Sequence, residues 1–257
     1  MRILAVCWRV LYRGPWLLLH VLIGPPIVAI GCTDRARASH LGRRIGEYLL
    51  CGWSRGICAI FGVKPKFSGN FAPGPSLIVA NHISWLDIFV LHSTSTMSFV
   101  AKAEIEKWPL AGWVASFGDT IYHQRGDRDS AQGVVAVVAE RLRGGHTVAI
   151  FAEGGILGGP GVKPFHARLF AAAIDTAVPV QPVMLRYLRN GVPCPDITFL
   201  PGEHFLVNFF RLLCQPACVV EVGIMPPIDS QGKQRRELAS EAHSAVATAF
   251  NAEPKVC

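Results

Sequence analysis

Residues 81–87 read NHISWLD and contain the side chains of this sequence best suited to acid–base chemistry. They directly follow residues 76–80 (SLIVA), an apolar run typical of a buried strand. Ligand sites in open α/β sheets lie just beyond the carboxyl ends of strands, so we expect His82 on a loop there and Asp87 in the first turn of the next helix. A carboxylate that holds one imidazole nitrogen fixes the tautomer and raises the basicity of the other nitrogen. The spacing therefore predicts a general-base dyad, His82 with Asp87, and no side-chain nucleophile.

A purely structural interpretation of the same residues is also open. Ser84 and Asp87 fit an S-x-x-D variant of the helix capping box, in which Asp87 only completes a cap. His82 is then an ordinary polar loop residue. The spacing alone does not separate these two interpretations.

Four blocks in order carry a resemblance to a known family. NHISWLD matches the NHxxxxD motif of the PlsC-like lysophosphatidic acid acyltransferase (glycerolipid acyltransferase) family. The region that the resemblance covers runs from about residue 75 to residue 187. Its other blocks are FVAKAE at 99–104 with PLAG at 109–112, Gly118 and YHQR at 122–125; FAEG at 151–154; and VPVQPV at 178–183.

The resemblance implies direct transfer of a fatty acyl group between two substrates. His82 would deprotonate the acceptor hydroxyl, which attacks the thioester of acyl-CoA or acyl carrier protein, while Asp87 orients the imidazole and stabilises the imidazolium. Such a reaction needs no serine or cysteine nucleophile, and the sequence contains no G-x-S-x-G elbow. Glu153 and Gly154 would help to place the acceptor.

Two basic residues are candidates for the anionic head group of the acceptor. These are Lys102 and Arg125, and the fork of an arginine can pair two phosphate oxygens at once. The alternative for Arg125 is a solvated surface base beside Asp127 and Asp129. The family resemblance favours binding.

The third block departs from the family pattern. That block usually reads FPEGTR, but here Glu153-Gly154 is followed by residues 155–157 (GIL), so the threonine and the arginine are absent. Lys163 or His166 could replace the missing ligand, and Arg168 is less suited to do so. Residues 164–170 (PFHARLF) resemble a bacterial subgroup that includes acylators of lyso-ornithine lipids, whose head group has no phosphate.

The acceptor is therefore the least defined part of the predicted function. The prediction is 1-acyl-sn-glycerol-3-phosphate, which gives phosphatidic acid. The alternative within the class is a lyso-ornithine lipid, and the alternative from another class is a non-catalytic lipid-binding protein of the same fold.

Short apolar runs alternate with amphipathic stretches after residue 67. This alternation predicts a layered α/β domain with a mostly parallel or mixed sheet. The predicted strands are 76–80, 98–101, 120–123, 147–151, 180–187 and 218–223, and the predicted helices are 86–91, 110–117, 129–143, 167–175 and 234–250.

The net positive charge of the chain comes from its N-terminal quarter. The 257 residues contain 25 Lys and Arg against 18 Asp and Glu, a formal charge of +7, and the mean hydropathy is +0.34. Residues 1–66 hold ten of these bases and two of the acids, which leaves the remainder near neutral. The composition excludes an intrinsically disordered chain, and the short, punctuated apolar runs argue against a polytopic membrane protein. A basic and apolar segment favours an anionic lipid surface over nucleic acid.

The most apolar segment covers residues 15–32, which carry no formal charge. Its Gly24-Pro25-Pro26 sequence predicts a broken or re-entrant helical element, because a residue before proline is disfavoured in the α region. A basic amphipathic helix is expected to begin between residues 35 and 44 and to continue to about residue 60. The expectation is attachment to the cytoplasmic face of a membrane, of the bacterial inner membrane in particular, and the alternative is a kinked soluble helix.

The predicted organisation is an N-terminal membrane-association segment (1–66), an acyltransferase domain (67–251) and a tail (252–257). The apolar face of residues 203–213 is assigned to the core or to a second membrane-facing element. The eight cysteines and the remaining histidines lack metal-ligand spacing, so we expect buried thiols in a reducing compartment, no metal and no cofactor apart from the acyl donor.

Overall fold

The computed structural model describes residues 2–31, 33, 39–106, 120–123, 128–156 and 161–253. The predicted helix over residues 110–117 lies outside these ranges, and so does Arg125.

Eight strands belong to the described part of the chain. They are β1 (Val63–Ser68), β2 (Leu77–Ala80), β3 (Ser98–Lys102), β4 (Ile121–His123), β5 (Val148–Phe151), β6 (Val180–Arg189), β7 (Val192–Pro193) and β8 (Cys218–Ile224). They form one sheet in the order β1-β8-β6-β2-β5-β3-β4, with β7 paired to β6. The run β6-β2-β5-β3-β4 is parallel throughout, whereas β7 is antiparallel to β6. The sheet is therefore mixed and mostly parallel, as the sequence predicts.

Eight α-helices belong to the described part of the chain. They are α1 (Arg2–Gly31), α2 (His40–Phe61), α3 (Asp87–His92), α4 (Ala103–Glu106), α5 (Arg128–Arg143), α6 (Phe170–Thr176), α7 (Phe205–Cys214) and α8 (Arg235–Asn251). A 3₁₀ turn (Ala167–Leu169) precedes α6. The predicted strands and the predicted helices in the described ranges are present. Their ends differ by one or two residues, except that the helix predicted from residue 167 begins at Phe170, after the 3₁₀ turn. Strand β1 was not predicted. Its sequence VKPKFS contains a proline, which suits an edge strand, and only Val63 of its six residues is buried.

The chain divides into two compact units. The first consists of residues 1–66, 84–96 and 187–220, and the second of residues 67–83, 97–186 and 221–257. The predicted division into a segment 1–66 and a domain 67–251 stays a prediction.

The second unit has a core of apolar side chains between its strands and its helices α5, α6 and α8. Leu77 from β2, Val138 from α5, Phe170 from α6 and Leu238 from α8 are all completely buried in it. This core fixes the central strand β2, from which the NHISWLD loop emerges.

The predicted break at residues 24–26 is wrong, because α1 is continuous from Arg2 to Gly31. Proline lacks an N–H group and crowds the preceding turn, so the local sequence does favour a break. Packing within the first unit offsets this cost. The indole of Trp53 occupies the space that a side chain at Gly24 would fill, and its Nε1 donates a hydrogen bond to the His20 carbonyl at 3.3 Å. The His20 and Trp53 rings are also stacked, with centroids 5.9 Å apart.

The amphipathic helix expected after this segment is α2. It begins after Ser39, whose hydroxyl accepts a hydrogen bond from the Gly42 N–H group, and it ends at Gly62, which has a φ of 71°. A left-handed residue at this position is a common helix terminator, and glycine adopts it without steric cost. Arg43 and Arg44 are exposed on this helix.

Much of the apolar surface of the first unit is exposed. Helix α1 is long and apolar enough over residues 4–31 to cross a membrane, and few of its residues are buried. Residues 203–213 were assigned either to the core or to a membrane-facing element, and helix α7 has one face of each kind. Asn208, Leu212 and Leu213 are buried, and the opposite face is exposed. Its exposed apolar side chains are Leu206, Val207 and Phe210.

Candidate active site

The loop after β2 is anchored by Asn81. This side chain is only 2% exposed. Its Nδ2 donates to the Leu185 carbonyl at 2.9 Å, and its Oδ1 accepts from the Leu185 N–H at 2.8 Å. An amide side chain has the same donor and acceptor as a peptide group, so Asn81 continues the pairing of β2 with β6 after the β2 backbone has turned away.

The imidazole of His82 is held on one face and at its backbone. Its ring stacks on Phe151, with centroids 3.8 Å apart and planes 10° apart. The backbone N–H group of His82 donates to Glu153 Oε2 at 2.6 Å. Phe151 and Glu153 both come from the end of β5, which is the parallel neighbour of β2. The base predicted from sequence is therefore positioned by the FAEG block.

Asp87 is the first residue of α3 and is completely buried. Its Oδ2 accepts a hydrogen bond from the Ser84 N–H at 3.0 Å, and its Oδ1 accepts one from the Tyr187 hydroxyl at 2.7 Å. Burial raises the pKa of Tyr187 well above its usual value, and the neighbouring Asp87 carboxylate raises it further. Tyr187 therefore remains a protonated donor at neutral pH.

The structure contains one of the two hydrogen bonds that a capping box at Ser84 and Asp87 requires. The carboxylate does accept from the Ser84 backbone, but the Ser84 hydroxyl faces the Leu86 N–H at 3.4 Å and not the Asp87 N–H as a capping box requires. The second oxygen of Asp87 is bound to Tyr187, which a local cap does not need. A burial this complete is costly for a carboxylate unless it is hydrogen-bonded, and both oxygens of Asp87 do accept hydrogen bonds. The catalytic pairing of His82 with Asp87 stays a prediction.

Glu153 connects two loops of the second unit. It is 6% exposed, and while Oε2 accepts from His82, Oε1 accepts from the Lys163 N–H at 2.7 Å. Gly154 follows with a φ of 78°, a backbone conformation that favours glycine. The ring of His166 lies against Gly154. The predicted role of Glu153 and Gly154 in contacting the acceptor stays a prediction.

The two basic residues predicted to bind the head group are described only in part. Lys102 is the last residue of β3, which is parallel to β5, so its backbone ends at the same edge of the sheet as the FAEG block. Nothing is described of its side chain or of Arg125.

The described cysteines are Cys7, Cys51, Cys58, Cys194, Cys214 and Cys218, and all are free thiols. Burial raises the pKa of Cys58 and of Cys218 to about 12, so neither forms the thiolate that a nucleophile requires. His92, one of the histidines without a predicted role, ends α3, and burial lowers its pKa to about 4.

Tyr187, Phe151 and Asn81 were not predicted as parts of the site. Asn81 and Phe151 belong to the NHISWLD and FAEG blocks, so the sequence places both residues near the site, but it does not predict their contacts. Tyr187 was placed in a strand, and nothing in the sequence connects it with a carboxylate 100 positions away.

Comparison with known proteins shows the family of this chain. The acyltransferase family model matches residues 64–186. The chain is 36% identical over 246 residues to lyso-ornithine lipid O-acyltransferase from Pseudomonas aeruginosa, which covers 94% of this chain and 93% of that protein. The chain belongs to the acyltransferase family. The predicted family and the predicted class of enzyme, an O-acyltransferase, are therefore confirmed.

Other relatives of this acyltransferase differ in how much of it they match. Lyso-ornithine lipid O-acyltransferase from Rhodobacter capsulatus is 33% identical over 200 residues, covering 74% of this chain and 71% of that protein. The 1-acyl-sn-glycerol-3-phosphate acyltransferase of Neisseria gonorrhoeae is 39% identical over 115 residues, or 45% of each chain.

The fold comparison spans almost the whole acyltransferase. The crystal structure of PlsC, the 1-acyl-sn-glycerophosphate acyltransferase of Thermotoga maritima, superposes with a TM-score of 0.75 over 97% of this chain and 96% of that one. The identity is 21%, so this likeness shows the fold alone, and it confirms the predicted α/β class.

Proposed function

We propose that this acyltransferase moves a fatty acyl group from acyl-CoA or acyl carrier protein to the hydroxyl of a lysolipid. The observation that carries the proposal is the fixed His82: its ring is stacked on Phe151, its backbone is bound to Glu153, and a fully buried carboxylate follows at Asp87. An imidazole held in this way is a suitable general base near neutral pH.

The reaction is a direct displacement. His82 takes the proton of the acceptor hydroxyl as its oxygen attacks the thioester carbonyl, and a C–O bond forms. The C–S bond then breaks, and the leaving thiolate takes the proton from the imidazolium. Asp87 stabilises the imidazolium between these two steps, and Tyr187 and Ser84 keep the carboxylate oriented.

The proposed acceptor is a lyso-ornithine lipid. Two observations support this choice: the relatives matched over most of their length carry that name, and the third block lacks the threonine and the arginine of FPEGTR. The second candidate acceptor is 1-acyl-sn-glycerol-3-phosphate, which the Neisseria relatives support over a shorter region.

An apolar groove in the first unit suits a hydrocarbon chain of one of the two substrates. It lies between α1 and α2 and has a volume of about 570 Å³. Apolar side chains dominate its walls, and Gly24, Gly52 and Gly56 also line it. The apolar walls include Trp16, Leu19, Ile23, Ile27, Leu49 and Ile60.

We propose that the first unit binds a membrane, at its cytoplasmic face because acyl-CoA and acyl carrier protein are cytosolic. Its exposed apolar side chains lie on α1, α2 and α7, beside the exposed Arg43 and Arg44, and this combination suits an anionic lipid surface. The exposed apolar residues of α1 and α2 include Leu4, Trp8, Leu11, Trp16, Leu18, Leu22, Ile30, Leu41 and Tyr48.

Point substitutions test the membrane proposal. Leu11→Glu with Leu22→Glu places two charges on the exposed face of α1 and should release the protein from phosphatidylglycerol-containing vesicles in a flotation assay. Val137→Glu, an equally drastic change at an exposed position of α5, is the matched control and should leave binding unchanged. Equal flotation of both variants would contradict the assignment of α1.

An acceptor panel tests the proposed activity. With one acyl-CoA donor, lyso-ornithine lipid, 1-acylglycerol-3-phosphate and glycerol-3-phosphate are compared by the rate of ester formation. We expect the highest kcat/KM with lyso-ornithine lipid. A preference for 1-acylglycerol-3-phosphate would select the second candidate, and no transfer to any acceptor would favour a non-catalytic lipid-binding protein.

A further inference from the structure

The Glu153 carboxylate fixes a second loop beside the loop of the catalytic base. Its two oxygens accept from two backbone N–H groups, that of His82 at 2.6 Å and that of Lys163 at 2.7 Å. Because one nearly buried carboxylate binds both N–H groups, the backbone at Lys163 lies close to the backbone at His82. Glu153 thus acts as a positioning residue between the two loops.

A second contact holds the far end of that loop at the same place. The His166 N–H donates to the Ala152 carbonyl at 2.8 Å. A β-carbon at Gly154 would lie 2.8 Å from His166 Cδ2 and 3.0 Å from Nε2, so the imidazole packs where a side chain is absent. Residues 163 and 166 are therefore fixed by their backbones to residues 152–154.

The side chains of this loop are available for a ligand. Within the described ranges, neither Lys163 Nζ nor the His166 ring has a hydrogen-bond or ion-pair partner. Lys163 is half-buried and His166 is exposed, whereas both oxygens of the adjacent Glu153 are occupied by backbone groups. Two side chains with nitrogen donors and no protein acceptor thus extend from a backbone that is fixed to residues 152–154.

We infer that Lys163 and His166 bind the anionic group of the acceptor head group, and that this group is the carboxylate of an ornithine-type head group. The inference rests on the proposed function and extends it to the residues that select the acceptor. A lysine ammonium pairs with a carboxylate or with a phosphate, so its charge alone does not choose between them. The carboxylate is chosen because the relatives matched over most of their length are named lyso-ornithine lipid O-acyltransferases, and because the arginine that follows Gly154 in the FPEGTR pattern is absent. Phosphate is the other source of the same negative charge, and the test separates the two.

Steady-state kinetics of the full-length protein in mixed micelles test the inference. Lys163→Met removes the charge but keeps the backbone N–H that Glu153 binds, so the His82 loop should stay in place. We expect the KM for lyso-ornithine lipid to rise about tenfold, with kcat and the KM for acyl-CoA unchanged. His166→Ala should raise the same KM about threefold, and Lys163→Arg should restore most of the affinity.

Arg168→Met is the matched control, because Arg168 is an exposed base in the following 3₁₀ turn. It should change the KM for the acceptor less than twofold. An equal effect of Arg168→Met and Lys163→Met would overturn the inference, since it would indicate only a general surface charge. A rise in the KM for acyl-CoA with no rise for the acceptor would overturn it as well.

A substrate analogue gives a second test that needs no altered protein. Lyso-ornithine lipid with its carboxylate converted to an amide should show the same tenfold rise in KM with the wild-type enzyme, and Lys163→Met should not weaken it further. If 1-acylglycerol-3-phosphate is the acceptor more strongly affected by Lys163→Met, the carboxylate assignment is wrong. His82→Ala distinguishes a failure of the proposed function from a failure of this inference. Activity of His82→Ala on all acceptors would refute the proposed function. An inactive His82→Ala together with an unchanged KM for the acceptor in Lys163→Met would refute only the inference about Lys163.

Discussion

Two buried carboxylates of this acyltransferase are bound in different ways. Asp87, in the first unit, accepts from one backbone N–H and from the hydroxyl of Tyr187. Glu153, in the second unit, accepts from two backbone N–H groups that belong to two different loops. We propose a division of work, in which Asp87 stabilises the charge on the imidazolium and Glu153 fixes the backbone of two loops.

The largest effect is expected at Asp87. Asp87→Asn keeps the shape of the side chain but removes the negative charge that stabilises the imidazolium, so kcat should fall about thousandfold with little change in KM. Asp229→Asn is the matched control, because Asp229 also accepts a backbone hydrogen bond but is exposed in a turn. Comparable kcat values for the two variants would remove Asp87 from the mechanism.

A smaller and broader effect is expected at Glu153. Glu153→Gln replaces one acceptor oxygen by an NH₂ group that faces an N–H donor, which leaves a buried donor unpaired at a cost of about 1–3 kcal/mol. We expect kcat to fall about 10- to 100-fold and the KM for the acceptor to rise as well, since both loops depend on this carboxylate. A rise in the KM for the acceptor with an unchanged kcat would instead assign Glu153 to substrate binding.

The smallest effect is expected at Tyr187. Tyr187→Phe removes one hydrogen bond to Asp87 but leaves the backbone unchanged, so kcat should fall about tenfold. The same substitution in the Asp87→Asn background should have no further effect on kcat, because Tyr187 acts through that carboxylate. Equal losses in both backgrounds would show that Tyr187 acts independently of the Asp87 charge, and thermal unfolding of the four proteins would show whether the loss comes from lower stability.

The sequence alone was sufficient to predict those elements whose structure depends on the local pattern of residues. The parallel strands that end at the site are short apolar runs, and residues 81–87 follow one of them directly. The placement of His82 after β2 and of Asp87 at the start of α3 needed no long-range contact.

Contacts between distant residues explain what the sequence did not predict. Helix α1 passes through Pro25 and Pro26 because Trp53, which follows much later in the chain, packs at Gly24. The occupation of both Glu153 oxygens by His82 and Lys163 likewise depends on how β2, β5 and the following loop are brought together. Tertiary packing outweighs local propensity at such positions.

Turnover by His82→Ala is the most direct test of the central claim. The substitution removes the imidazole but keeps the N–H group that Glu153 binds, so the loop should remain folded. Direct transfer with His82 as the general base predicts a loss of about 10²- to 10⁴-fold in single-turnover ester formation from acyl-CoA and lyso-ornithine lipid, with unchanged thermal unfolding and vesicle binding. A single-turnover rate within a few-fold of the wild type would contradict it.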